Sequence, residues 1–274
     1  MKLESMSRVI IYYGNLHLKK ILILFLLRIL MIQCDAQDQA QHDQIVLVNV
    51  EHLDRAGIAK EILAINHLGP KVIALDVTFE ERHNDENDAI LAEAISECES
   101  LVTAGYVRTI AEKVFLVSAN ASEFMSHQGH IGFIDTMHEK DEYKTQQQFK
   151  VWEEESLRDE LAGKPRTGYH FSVETVMAFD RTAAMMFVKS RPQIVDIDFK
   201  DGKRTFLKFS ASDVLDGKIS RRDIEGKIVM LGFLGPGNED KSFTRLNKGE
   251  RPSEPDMYGV EILANITAQI LESK

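Results

Sequence analysis

The sequence predicts an α/β fold: a mostly parallel β-sheet flanked by helices, with an added β-hairpin. Three observations carry this expectation. Lys71–Phe79 (KVIALDVTF) runs through four apolar residues to Asp76, bounded by Gly69-Pro70 before and Glu80-Glu81 after. A continuous apolar run of that length reads as a strand buried on both faces, as in parallel sheets. Ile45–Val50 (IVLVNV) and Lys227–Leu234 (KIVMLGFL) are runs of the same kind. Between the first two strands, Ile58, Ile62, Ile65 and Leu68 recur at spacings of four, three and three, which makes one apolar helix face. Strand, helix and strand with short connections form a right-handed parallel unit.

The elements follow in order. Lys19-Lys20 precede Ile21–Ile32, an apolar run broken only by Arg28, and Gln33-Cys34-Asp35-Ala36 come next. A basic edge, an apolar stretch and a small residue fit a secretory signal cleaved near Ala36. The run falls short of the ~20 residues that a spanning helix wants, and Arg28 adds insertion cost. An uncleaved anchor through residues 21–32 is the alternative, and lipid attachment at Cys34 a third, with Gln33 where a small residue is usual. Residues 1–36 are thus read as signal peptide or N-terminal membrane anchor, 37–44 as a polar linker, and 45–274 as one domain.

Within the domain, Gly69-Pro70 stops the first helix as a C-terminal glycine followed by proline should. Asp85 or Asn87 is placed to cap a helix carrying Ile90, Leu91, Ala94 and Ile95. Leu101–Val107 reads as a third strand, and Val114–Val117 as a further apolar piece. Thr136–Gly168, rich in Glu, Lys, Asp and Gln, is expected to be a surface excursion with a partly exposed helix anchored by Trp152, Leu157 and Leu161. Phe171–Phe179 follows as a helix. Ile194–Phe199 and Thr205–Phe209 flank Lys200-Asp201-Gly202-Lys203, the pattern of a β-hairpin around Asp-Gly. Ser212 is placed to cap a short helix closed by Gly217. The last helix, Tyr258–Leu271, puts Val260, Leu263, Ile266 and Ile270 on one face.

Composition narrows the function classes. The 274 residues are 44% hydrophobic and 28% charged, with a net charge of −10, which suits a globular domain. Residues 1–36 hold five basic and two acidic side chains, so the body is more acidic than the whole chain. Such a body repels nucleic acid and anionic membrane surfaces, and nucleic acid is not an expected partner. Two cysteines, Cys34 and Cys98, build neither a disulfide framework nor a zinc or iron–sulfur spacing.

Two stretches bear on chemistry. Leu231–Asp240 (LGFLGPGNED) takes a strand into a glycine-rich loop, where Gly232, Gly235 and Gly237 can bring backbone amides close to an anion. Its spacing is neither a Walker loop nor a dinucleotide fingerprint. Asp240 follows this strand as Asp76 ends the other, and open α/β sheets place ligands at the carboxyl ends of their strands. Asp76, Glu80, Gly235, Gly237 and Asp240 are therefore the expected ligand-binding residues. Glu80, Asp85 and Asp88 can extend the two aspartates into an all-oxygen cluster suited to a divalent cation such as magnesium or calcium; no other cofactor is expected. His127, His130 and His138 carry no fixed zinc spacing. The same acids also read as solvated or capping groups at separate points.

The pieces IVLVNV, KVIALDVTF, NDENDAILAEAI, DVLDGKISRRDIEGKIVMLGFLGPGNEDKSFT and MYGVEILANITAQIL resemble, in this order, the type 2 CHASE domain over residues 43–272. The terminal Gly259-Val260-Glu261-x-x-Ala264-Asn265 helix is among the most specific parts. The resemblance implies an extracytoplasmic bacterial sensory domain that recognises a small-molecule signal, exported to the periplasm or cell envelope and not itself an enzyme. Domains of this kind usually run on into transmembrane helices and an output module. The expectation here is a receptor acting without its own output module, with a membrane kinase or cyclase as partner. The alternatives are a metal-dependent hydrolase using Asp76 and Asp240, and a non-enzymatic structural protein of the envelope.

Overall fold

The structure is a computed structural model that describes residues 43–83, 86–118, 120–121, 124, 130–139, 142–158, 165–202, 204–247 and 254–273. By compactness the chain divides between Gln41 and His42, and the fold below is that of the second unit. The expected signal or anchor, residues 1–36, and all of the expected linker but residues 43 and 44 lie outside the described residues.

The elements, in order, begin with β1 (Ile45–Asn49), α1 (Arg55–Asn66), β2 (Val72–Leu75), α2 (Glu86–Ser96), β3 (Leu101–Ile110) and β4 (Lys113–Ser118). Five short strands follow: β5 (Ile131–Phe133), β6 (Thr136–His138), β7 (Gln146–Lys150), β8 (Trp152–Arg158) and β9 (Pro165–Tyr169). Then come α3 (Phe171–Phe179), α4 (Arg181–Ser190), β10 (Ile194–Asp196), β11 (Leu207–Ser210), α5 (Ala211–Leu215) and α6 (Arg221–Ile224). The last elements are β12 (Ile228–Gly232), β13 (Lys241–Ser242), β14 (Met257–Tyr258) and α7 (Gly259–Glu272).

The main sheet runs β11-β1-β12-β2-β3-β4, with β5 also on β3. Every pairing in it is parallel except that of β3 with β4. Because side chains alternate across a strand, each central strand feeds two apolar layers. Ile45, Leu47, Val72, Ala74, Val102, Ile228 and Met230 pack with α3, α4 and α7 on one face. Val46, Val48, Ile73, Leu75, Leu101, Val229 and Leu231 pack with α1, α2 and α5 on the other. The continuous apolar runs of the sequence are thus strands covered on both sides. Local signals set the helix ends: the Asp54 side chain accepts from Gly57 N–H at 2.8 Å to start α1, and Gly69 at φ 76° lets the chain leave it.

Three expectations are corrected. The hairpin around Lys200–Lys203 does not form: β10 pairs antiparallel with β7, and β11 joins the main sheet parallel to β1. Phe199 and Arg204 are buried between them, so each run finds a partner elsewhere that covers its apolar face. The extra hairpins lie at β3–β4, turning through Ala111 and Glu112 at φ 49° and 64°, and at β8–β9. Thr136–Gly168 is not an excursion with a helix, because its described residues form β6 to β9. Phe149 and Val151 there are fully buried and Trp152 packs beside them, while Leu161 lies outside the described residues. The short helix at 211–215 is capped by Ser210 through a reciprocal pair with Asp213, two residues earlier than Ser212 would place it.

Ile73 is 1% exposed, on a strand hydrogen-bonded on both sides. Ile73→Asp buries an uncompensated charge and is expected to cost several kcal/mol, abolishing cooperative folding in a circular-dichroism melt.

Candidate functional site

The strand order puts a switch point at the carboxyl edge of the sheet, where folds of this type form their crevice. β12 lies between β1 and β2. The chain leaves β1 and β2 toward α1 and α2 on one face, but leaves β12 toward α7 on the other. Where neighbouring connections diverge in this way, a groove opens beyond the carboxyl ends of the strands. Asn49, Asp76 and Gly232–Asp240 stand at those ends.

Backbone contacts fix this rim. Asp76 N–H donates to Leu231 C=O at 2.8 Å, and Val50 N–H donates to Gly232 C=O at 3.1 Å. The Asn49 side-chain oxygen accepts from Glu51 N–H at 3.0 Å and Leu234 N–H at 2.8 Å, pinning the glycine loop to β1. A Cβ on Gly232 would lie 2.6 Å from Val260 Cβ, so this glycine lets α7 start directly on the strand end. The carbonyls of Gly235 and Gly237 face the Tyr258 hydroxyl, which donates to the first and sits 3.3 Å from the second. Gly237 is at φ 94°, a conformation that suits glycine. The Phe233 ring packs against His52 and Tyr258, with the Lys241 ammonium 4.7 Å from the Tyr258 ring centre.

Asp76 and Asp240 both belong to this rim, near enough for their charges to interact. Asp76 is pushed up to about 7, first by loss of hydration and then by the negative charge of Asp240. Burial raises Asp240 as well, and the Gly259 amide partly offsets that rise. Asp240 adopts φ 59°, and its carbonyl accepts from Gly259 N–H at 2.9 Å. Its Oδ2 lies 3.1 Å from where a Gly259 Cβ would stand, so only glycine leaves ample room there.

Of the other expected acids, Glu80 and Asp88 are among the described residues. Glu80 is exposed, next to the buried Phe79 whose N–H is held by Asn120 Oδ1 at 2.6 Å. Asp88 is buried, ion-paired to Arg55 and accepting from His83 N–H at 2.7 Å, which makes it a structural anchor of α2. Asp85 and His127 lie outside the described residues. His130 sits 3.3 Å from Glu174, and His138 bonds Glu139 C=O. Among the described residues, no group of three or more His, Cys, Asp or Glu is placed to hold a metal ion.

Sequence reasoning passed over Glu61. Its position, between Ile58 and Ile65 on the inner face of α1, falls within the apolar period, but its charge argues for solvent. It is fully buried, and neither carboxyl oxygen has a hydrogen-bond partner among the described residues. Burial, then the nearby Glu51, pushes it up to about 8.

Glu61 and Asp76 set a pH dependence. Each holds its proton in the folded state over a range where the unfolded chain has lost it, so stability is full below the ordinary carboxylate range and falls as pH rises. The windows run from 4.5 to about 8 for Glu61 and from 3.8 to about 7 for Asp76. Melting temperature is therefore expected to drop between about pH 4 and pH 8. Glu61→Gln and Asp76→Asn should each flatten part of that slope, and an unchanged profile in both would refute these titrations.

A family model described as the CHASE2 domain matches residues 13–274, beginning well before the 43–272 region in which the sequence resemblance lies. No curated protein and no solved structure is significantly similar to the chain.

Proposed function

Since the chain belongs to the CHASE2 family, whose domains are extracytoplasmic sensors of signalling proteins, we propose that it is exported and binds a small-molecule signal at the carboxyl edge of its sheet. The observation that carries this reading is the pairing of Asp76 with Asp240 beside β12, close enough for one charge to disfavour the other. Two like charges in a groove favour a ligand that supplies a cation or several donors between them. The Asn49-pinned glycine loop and the aromatic cover of His52, Phe233 and Tyr258 give that ligand a built wall. Glu80, exposed four residues beyond Asp76, is proposed as an outer contact of the same ligand. Lys19–Ala36 supplies the export signal or anchor, and a membrane kinase or cyclase is the proposed recipient of the signal.

The rival reading, a metal-dependent hydrolase, would use the same two aspartates. The described residues bring no third metal-ligating His, Cys, Asp or Glu to them, which favours recognition over metal catalysis. Putrescine and spermidine set against magnesium and calcium, at pH 7.5 in a thermal-shift assay, separate the cases: a polyamine response supports recognition, and a response to the divalent cations alone supports the hydrolase. At least one is expected to raise the melting temperature of the wild type. Asp76→Asn and Asp240→Asn should keep or gain stability, because repulsion is removed, and should lose that response. Variants that melt lower and respond as the wild type does would refute the crevice. Cell fractionation should find the protein outside the cytoplasm.

A further inference from the structure

A second opening lies away from the aspartate pair. A cleft of about 250 Å3 sits between the edge strand β11 with its preceding residues and the start of α7, lined by Arg204, Phe206, Lys208, Met257, Glu261 and Asn265. This is below the roughly 300–1,000 Å3 of sites for drug-sized ligands, so its occupant is small.

The floor is rigid and its charge is balanced. The Arg204 side chain is only 1% exposed. Its Nε and Nη2 donate to the two Glu272 carboxylate oxygens at 3.1 and 2.6 Å, and Nη1 donates to Asp198 C=O and, at 3.4 Å, to Asn265 Oδ1. Lys200 lies 3.3 Å from Asp198 and 3.7 Å from Glu272. Among the described residues, three cations, Lys200, Arg204 and Lys208, thus stand against three anions, Asp198, Glu261 and Glu272.

The rim is different, because its two charges keep unused capacity. Lys208 is half exposed and ion-paired to Glu261 Oε1, while Glu261 Oε2 accepts from Tyr258 N–H at 3.1 Å. An ammonium offers three donors and a carboxylate about four acceptor positions, so the pair can each take another partner. A free anion would meet Glu261, and a free cation would meet Lys208. A molecule carrying both charges meets neither penalty.

We propose that this cleft binds a small zwitterion of the α-amino acid class. The ligand carboxylate is received by Lys208 and its ammonium by Glu261, the surface pair parting around it. Phe206 and Met257 flank the ligand side chain, and Asn265 offers an amide. The pair is cheap to open, because an exposed ion pair contributes little to stability.

The test uses the full chain with L-alanine, L-serine and L-leucine as probes in thermal-shift and equilibrium-dialysis assays. At least one is expected to raise the melting temperature by roughly 2 °C or more at about 10 mM. N-acetyl-L-alanine, L-alanine amide, acetate and methylamine, each lacking one charge, should give no such shift. Lys208→Ala, at a half-exposed position, should fold normally and weaken binding at least about tenfold. Glu261→Gln should do the same, and if loss of its cap unfolds α7, Lys208→Ala alone decides. Asp76→Asn should bind as the wild type does, which keeps this site separable from the crevice. The proposal is overturned if no amino acid binds, if the single-charge compounds bind equally, if Lys208→Ala binds unchanged, or if Asp76→Asn abolishes binding.

Discussion

The structure depends on one strand. β12 is hydrogen-bonded to β1 along its whole length and to β2 over four residues, and all five of its residues are buried. Without it, β1 and β2 have no common neighbour, and both apolar layers lose their middle. Its position also decides where chemistry can occur. The chain leaves β12 toward the face opposite to the one its neighbours choose, so the sheet splits at its carboxyl edge there. The groove is therefore a by-product of strand order rather than of any particular side chain.

Polar groups in this groove and beneath it are held at some cost. A carboxyl that loses hydration without gaining a cation or several donors stays protonated instead of paying the full penalty of a buried charge. Glu61, inside the helix layer, follows that course up to about pH 8, whereas Asp76, on the rim, does so only up to about pH 7 and is charged above it. His170 shows the basic counterpart: buried beneath Phe133 and Phe149, it is pushed down to about 3 and stays neutral. The start of α7 touches both openings. Gly259 meets Asp240 at the crevice, while Glu261 stands in the wall of the cleft. One helix can therefore feel occupancy at either place.

Much of this was legible in the sequence, for identifiable reasons. IVLVNV, KVIALDVTF and KIVMLGFL are apolar without alternation, which only doubly covered strands require, and a residue ending such a strand necessarily reaches the carboxyl edge. Asp76 was therefore recognisable at that edge, with Asp240, in the loop beyond β12, as a candidate neighbour. The strand order was not, because periodicity records which faces are buried but not which strand lies beside which. Gln146–Lys150 was misread because its Gln and Lys residues veil a single core residue, Phe149. The Asp-Gly pair at residues 201–202 misled in the other direction: a turn signal states how the chain bends, whereas pairing depends on what the flanking runs can cover. The cleft was invisible for a simpler reason. Lys208 and Glu261 meet only once α7 has docked against the sheet edge.

The late placement of β12 also has a consequence in time. About 150 residues separate the end of β2 from the start of β12, so the sheet keeps a gap between its first two strands until most of the chain has been made. Contacts of such sequence separation form slowly, since loop closure must precede any reward from pairing. A growing chain is therefore barred from completing its core early. Were the chain to cross a membrane unfolded, as the proposed export requires, that delay would be useful: the last strand would act as a closing key for a polypeptide still pliable when it arrives.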